Sequence, residues 1–163
     1  MKRRKFLKQA LIGAAATGSG VVAAPAIVQA QQTFSWRMNN WYPTGLPMYS
    51  SGPGSATDIA KRIEEASGGR LKIQVFGAGE LVPPNESFDA CSSGTVEMSF
   101  STPYFWTGKN FATQYFGAVP FGLNYQGVNG WFYSGGGLEL FHELYAKFNL
   151  IAFPCGNSGV QMT

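Results

Sequence analysis

Large and polar side chains alternate along Phe34-Ser35-Trp36-Arg37-Met38, the period-two signature of a strand with one face buried. The alternation returns at Leu71-Lys72-Ile73-Gln74-Val75-Phe76 and predicts a second strand. Between the two, the period changes. Ala56, Ile59, Ala60, Ile63 and Ala66 recur at helical spacing, with Asp58, Lys61, Arg62, Glu64 and Glu65 between them. Residues 55–67 therefore predict an amphipathic helix. Gly68-Gly69 ends it, as glycine does just past a helix C-terminus. The Gly-, Pro- and Ser-dense stretch 44–54 reads as a loop, and residues 77–80 turn the chain.

Further along, Asn85 is placed to cap a short helix running to Ser93, with Phe88 and Cys91 facing inward. Residues 95–101 predict a third strand. Residues 105–119 are aromatic and irregular, and 120–128 read as a loop. A helix covers part of 126–134. Another spans 138–148, where Leu140, Phe141, Leu144, Tyr145 and Phe148 share a face. Asn149 closes it, and residues 150–153 predict a fourth strand. Strands alternating with helices argue for an α/β layer with a largely parallel sheet. The sequence then stops at Val160-Gln161-Met162-Thr163, just past a Gly-rich turn, so the expectation is an interrupted domain.

The first thirty residues follow a different logic. Lys2, Arg3, Arg4, Lys5 and Lys8 precede an apolar, Ala-rich run over 10–24, and Val28-Gln29-Ala30 offers the small-x-small exit of a signal peptidase site. Arg3-Arg4-Lys5-Phe6-Leu7 adds the twin-arginine pattern, which makes the twin-arginine translocase a partner during export. The competing reading is a membrane anchor. Thr17, Gly18, Ser19 and Gly20 interrupt the run, which falls short of the ~20 apolar residues a span needs. The expected organisation is a cleaved signal over 1–30 and a soluble domain over 31–163.

Composition sharpens this. The 163 residues are 45% hydrophobic, 15% aromatic and 13% charged, which excludes a disordered chain and a coiled coil. The formal charge of +3 comes from the leader, which holds five basic residues and no acid; the rest is faintly acidic. Such a body gives no electrostatic reason to expect nucleic acid or an anionic membrane as partner. Cys91 and Cys155 are separated by a long stretch that nothing local brings together, and two small buried thiols are favoured over a disulfide. With one His they form no metal-ligand cluster.

Little in the chain suggests catalysis. His142 sits mid-helix and reads as a solvated or core-edge residue. Gly135-Gly136-Gly137 lacks the context of a phosphate loop and reads as a turn. Lys109 is a lone cation among aromatics. Carboxylates are scattered, so paired acid–base chemistry has no support. What stands out is polar amide chemistry among aromatics. Tyr104-Phe105-Trp106 follows one strand end, and Gly156-Asn157-Ser158-Gly159-Val160-Gln161 follows another. In open α/β sheets ligands bind beyond the carboxyl ends of strands. Asn157 and Gln161 offer donors and an acceptor each, and aromatics offer walls. A pocket of that kind binds a small polar molecule without reacting with it. The same residues also suit an aromatic core strand followed by a turn. An exported hydrolase is the alternative class.

Several motifs occur in order: Ala78-Gly79-Glu80-Leu81-Val82-Pro83, Gly94-Thr95-Val96-Glu97-Met98, Tyr104-Phe105-Trp106-Thr107-Gly108-Lys109, Ala118-Val119-Pro120-Phe121-Gly122-Leu123, Gly135-Gly136-Gly137, and Phe153-Pro154 through Met162. Together, over nearly all of residues 34–163, they resemble the DctP-type solute-binding protein of tripartite ATP-independent periplasmic (TRAP) transporters, in the branch that binds 2-oxo acids and related monocarboxylates. The resemblance implies the N-terminal lobe of a two-lobed, hinge-closing periplasmic-binding-protein fold (type II, Venus-flytrap), truncated here. It implies a periplasmic location, a small organic acid as ligand, and TRAP membrane permease subunits as partners. It implies that Gln161 contacts the substrate near a bound cation, sodium, and that Tyr104 and Asn157 occupy cleft positions. A carboxylate-binding Arg and further cation ligands are expected beyond Thr163. Where relatives carry Tyr, this chain has Phe105.

Overall fold

The computed structural model describes residues 32–117 and 119–156. The predicted signal over 1–30, Asn157 and Gln161 lie outside them. A parallel sheet of three strands is ordered β2-β1-β3, with β1 (Phe34–Asn40) at its centre. β2 is Leu71–Phe76 and β3 is Met98–Phe100. Phe34 stands opposite Leu71 and Asn39 opposite Phe76; Met38 stands opposite Met98 and Asn40 opposite Phe100. The α/β architecture with a parallel sheet is the one the alternating pattern predicts.

Local chemistry explains the element boundaries. A four-residue helix, α1 (Pro47–Ser50), interrupts the predicted loop, with proline in its first turn. In α2 (Ala56–Ala66), the Ser55 hydroxyl accepts from the Asp58 N–H at 3.4 Å, and the Asp58 carboxylate accepts from the Gly54 N–H at 2.9 Å. The first bond satisfies one of the donors a helix start leaves orphaned, and the second ties the residue just before the cap to the first turn. At the other end Gly69 N–H reaches the Glu64 carbonyl at 2.8 Å and Gly68 N–H the Glu65 carbonyl at 3.0 Å. Both glycines have left-handed φ, 63° and 78°, so the helix closes in a Schellman turn. Ala56 and Ala60 are buried, and their small side chains let α2 lie close to Met38 and Phe100.

Several expectations fail, each for a physical reason. Asn85 caps nothing: Pro84–Glu86 is a 3-10 turn, and α3 (Ser87–Ser92) starts without a side-chain cap. The Ser87 hydroxyl instead donates to the Pro84 carbonyl at 2.7 Å and accepts from Asn39 Nδ2 at 2.6 Å, a buried polar link between α3 and β1. The third strand is shorter than residues 95–101. Thr95 and Val96 N–H groups turn back to the Ala90 carbonyl, and the Glu97 carboxylate takes the Arg37 N–H at 2.8 Å where a ladder partner would stand. Arg37 clamps the same carboxylate with Nη2 at 2.8 Å and Nε at 3.1 Å, which holds Glu97 down at about 2. Residues 150–153 are not a strand, because no described segment pairs with them. In that uncovered stretch Cys155 is exposed rather than buried, while Cys91 is partly buried; both thiols are free.

The helices α4 (Tyr125–Ser134) and α5 (Gly137–Ala146) match the periodicity. The Asn124 side chain caps α4 through Gly127 N–H at 2.9 Å. The glycine run before α5 is a packed turn. Gly136 has φ of 81°, and a Cβ on Gly137 would sit 2.7 Å from the Trp131 indole. Asn149 closes the helix in the left-handed region, φ 58°, and its side-chain amide donates to the Ser92 carbonyl at 3.2 Å. The main core gathers Phe88, Trp106, Phe132, Phe141, Leu144 and Tyr145. His142 is a core-edge residue, with its ring edge-on to Phe153 at 5.4 Å. Among the described residues, no helix is long and apolar enough to cross a membrane.

Candidate functional site

Because the sheet is parallel, β1, β2 and β3 end along one edge, at Asn40, Phe76 and Phe100. The segments leaving that edge are stitched together. Trp41 N–H donates to the Phe100 carbonyl at 2.9 Å, and Ala78 N–H to the Tyr42 carbonyl at 3.2 Å. The Tyr42 hydroxyl is hydrogen-bonded to the Thr102 hydroxyl, and burial raises the Tyr42 pKa. Asn40, fully buried, accepts from Tyr42 N–H at 2.8 Å through Oδ1. Its Nδ2, the Trp41 Nε1 and the Ser99 Oγ are buried without a partner among the described residues. Unmatched donors are costly in a packed interior, so their gathering at the strand ends marks a place where polar partners are wanted.

The aromatic residues divide at this edge. Trp41 stacks on Phe105 with ring centroids 3.7 Å apart, and Tyr104 meets Phe105 edge-on at 4.6 Å. Tyr104 is half-buried against Gly117, where an added Cβ would lie 3.2 Å from its ring. Trp106 turns the other way. It is 5% exposed, packs against Phe88, and donates from Nε1 to the Ser101 hydroxyl at 3.1 Å. Trp106 is therefore core, not a cleft wall. A 3-10 turn over Pro103–Trp106 has three residues per turn, so successive side chains cannot share one wall.

A cavity of about 340 Å³ opens between α1 and the start of α2, lined by Tyr42, Leu46, Met48, Pro53, Gly54 and Gly156 among others. Gly156, the last described residue, reaches it by backbone contact. A Cβ on Gly156 would lie 2.6 Å from the Gly54 carbonyl oxygen, and one on Gly54 would lie 2.7 Å from Gly156 Cα. Only glycine at both positions permits this approach. The segment that continues into Asn157 thus leaves the described residues at the rim of this cavity. Of the three candidates, Tyr104 stands at the strand-end edge; Asn157 and Gln161 lie outside the described residues. Asn40, Trp41, Tyr42 and Met48 are missed by the sequence reading. The strand-end rule that picks out Tyr104 after β3 applies equally after β1 and would find the first three.

Cations lie elsewhere. Arg37 pairs with Glu97, Arg62 with Asp58 at 2.8 Å, Lys109 with Asp89 at 2.6 Å, and Arg70 donates to the Ser67 carbonyl. Among the described residues, no charged side chain lines the cavity. Among the described residues, no cluster of His, Cys, Asp or Glu forms that could hold a metal ion. The described residues therefore do not by themselves provide a cation site.

Residues 49–163 match the family described as bacterial extracellular solute-binding protein, family 7 (DctP). The chain is 41% identical, over 165 aligned positions, to a monocarboxylate 2-oxoacid-binding periplasmic protein of Nostoc sp.; the match covers 99% of this chain and 44% of that protein. In structure it is similar to a TRAP transporter solute-binding protein from Bordetella bronchiseptica with copurified calcium and picolinate, at TM-score 0.75 and 40% identity, covering 80% of this chain and 38% of the other. It is also similar to a TRAP periplasmic solute-binding protein from Pseudoalteromonas atlantica with bound sodium and pyruvate, at TM-score 0.75 and 36% identity, covering 80% and 39%. The chain spans less than half the length of these relatives.

Proposed function

Since the chain belongs to family 7 of the bacterial extracellular solute-binding proteins, we propose that it forms one lobe of the periplasmic component of a TRAP transporter. That component captures a small organic acid, a 2-oxo acid or related monocarboxylate, and delivers it to the membrane permease. The observation that carries this reading is the strand-end edge, where Trp41, Tyr42, Thr102 and Tyr104 gather beside unmatched donors. Its relatives are solute-binding proteins, not enzymes, and nothing among them supports the hydrolase alternative. A carboxylate needs charge-assisted hydrogen bonds to offset its desolvation. The described arginines are engaged elsewhere, so the counter-charge comes from a second lobe that follows Thr163 and closes over the acid.

In this reading Tyr104, Asn157 and Gln161 contact the acid from this lobe. The Gln161 amide oxygen is a hard donor of the kind sodium and calcium accept, and it supplies one ligand to a cation that accompanies the acid. Calorimetric titration of pyruvate into the protein that carries this chain, with all that follows Thr163 included, tests the reading. Gln161→Ala is expected to lose about 1–3 kcal/mol of affinity by removing a buried amide partner. Wild-type affinity in that variant removes Gln161 from the site; no heat with any small organic acid sinks the function.

Residues 1–30 act, we propose, as a twin-arginine signal ahead of the lobe at 31–163. The translocase reads two guanidinium groups, which lysine does not reproduce. Arg3→Lys with Arg4→Lys is expected to leave precursor in the cytoplasm on cell fractionation. An unchanged periplasmic yield counts against this export route.

A further inference from the structure

Resting on the acid-binding reading above, we propose that Tyr42 is a positioning residue: it ties the exits of all three strands together and so holds Tyr104 in place before an acid arrives. Each polar group of Tyr42 goes to a different strand exit. Its N–H donates to Asn40 Oδ1, on the last residue of β1, at 2.8 Å. Its carbonyl accepts from Ala78 N–H, just past β2, at 3.2 Å. Its hydroxyl is hydrogen-bonded to the Thr102 hydroxyl, just past β3. The first tie is local, since an asparagine side chain that takes the N–H two residues on makes an Asx-turn. The other two join segments far apart in sequence, where loops leaving a sheet otherwise have few contacts to hold them.

The link to Thr102 is the one that reaches Tyr104. Thr102 stands at the N-cap position of the 3-10 turn Pro103–Trp106, where a threonine hydroxyl ordinarily accepts from an N–H of its own turn. It makes no such bond and goes to Tyr42 instead. The start of the turn that carries Tyr104 is therefore anchored to the exit of β1. The Tyr42 ring reinforces this. It stands edge-on to Phe100 at 6.3 Å and tilted against Phe105 at 6.4 Å, and Phe105 meets Tyr104 edge-on at 4.6 Å. A lobe whose exits can part binds acid only while they are together, and its apparent affinity falls by that fraction. One neutral hydrogen bond shifts such an equilibrium by about three- to tenfold.

Calorimetry with pyruvate on the full protein carrying this chain reads the effect. Tyr42→Phe keeps the ring and both backbone ties and removes only the link to Thr102. It should weaken pyruvate binding by about three- to tenfold. Thr102→Val removes the other hydroxyl and should match it. The double variant should lose no more than either alone, because both changes break the same bond. Thr102→Ser keeps the hydroxyl and should bind within about twofold of wild type. In stopped-flow mixing the loss should fall on association, with dissociation within about twofold of wild type. Wild-type affinity in either Tyr42→Phe or Thr102→Val overturns the inference while the acid-binding reading stands. So do losses that add in the double variant, or faster dissociation that accounts for the whole loss, since either puts the Tyr42 hydroxyl on the acid itself. No binding of any small organic acid by the wild type brings down both.

Discussion

Trp106→Ala is expected to cost about 3–5 kcal/mol of stability, a large share of the roughly 5–15 kcal/mol a domain commands. The side chain is 5% exposed, and its ring lies 5.4 Å from Phe88 in the cluster that also holds Phe132, Phe141 and Leu144. Truncation leaves a large void among aromatics that cannot collapse into it. It also strands the Ser101 hydroxyl, which accepts the indole N–H at 3.1 Å. Its neighbour Tyr104 behaves differently. Half-buried at the strand-end edge, it has water on one side, and Tyr104→Ala should cost no more than about 1–2 kcal/mol. Urea denaturation of the two variants separates core from cleft. A Trp106→Ala protein that unfolds like wild type but no longer binds acid would return Trp106 to the cleft wall.

The two aromatics show how far the sequence could be read. β2 and α2 are legible almost to the residue, because period, cap and terminating glycines agree: Ser55 and Asp58 start the helix, Gly68 and Gly69 stop it, and the Leu71–Phe76 alternation follows. Where one long-range contact overrides a local pattern, legibility ends. Residues 95–97 have strand-like side chains, but the Arg37–Glu97 clamp takes their place in the ladder. Asn85 has the chemistry of a cap, but the Ser87 hydroxyl is drawn to buried Asn39 and the backbone winds into a 3-10 turn. Residues 150–153 have the composition of a strand without a described neighbour to pair with. The site shows the same limit. A topological rule finds Tyr104 from its position after a strand. The approach of Gly156 to Gly54 across the fold leaves no trace in local sequence, and with it Met48 and Leu46 stay hidden in a stretch that reads as loop.

That approach gives a second test. Gly54→Ala should weaken acid binding by at least about tenfold, equivalent to 1.4 kcal/mol, and should destabilise the fold as well. Two effects combine. Gly54 has φ of +82°, and an alanine held in the left-handed region costs roughly 1–2 kcal/mol. Its Cβ would also lie 2.7 Å from Gly156 Cα, a backbone atom that has to move. Moving it shifts the segment that leads to Asn157 and Gln161, and it strains the Gly54 N–H bond to Asp58 that caps α2. Gly156→Ala isolates the contact, since Gly156 is outside the left-handed region while its Cβ would lie 2.6 Å from the Gly54 oxygen. Gly52→Ala isolates the strain, with φ of +87° and nothing within 4 Å of a Cβ. If the segment at Gly156 shapes the site, Gly54→Ala and Gly156→Ala both lose acid affinity in calorimetry. Gly52→Ala then loses only stability in denaturant, by about the left-handed cost. Wild-type affinity in both Gly54→Ala and Gly156→Ala would mean that the acid is held without this segment, and the site would then have to be drawn around Trp41 and Tyr104 alone.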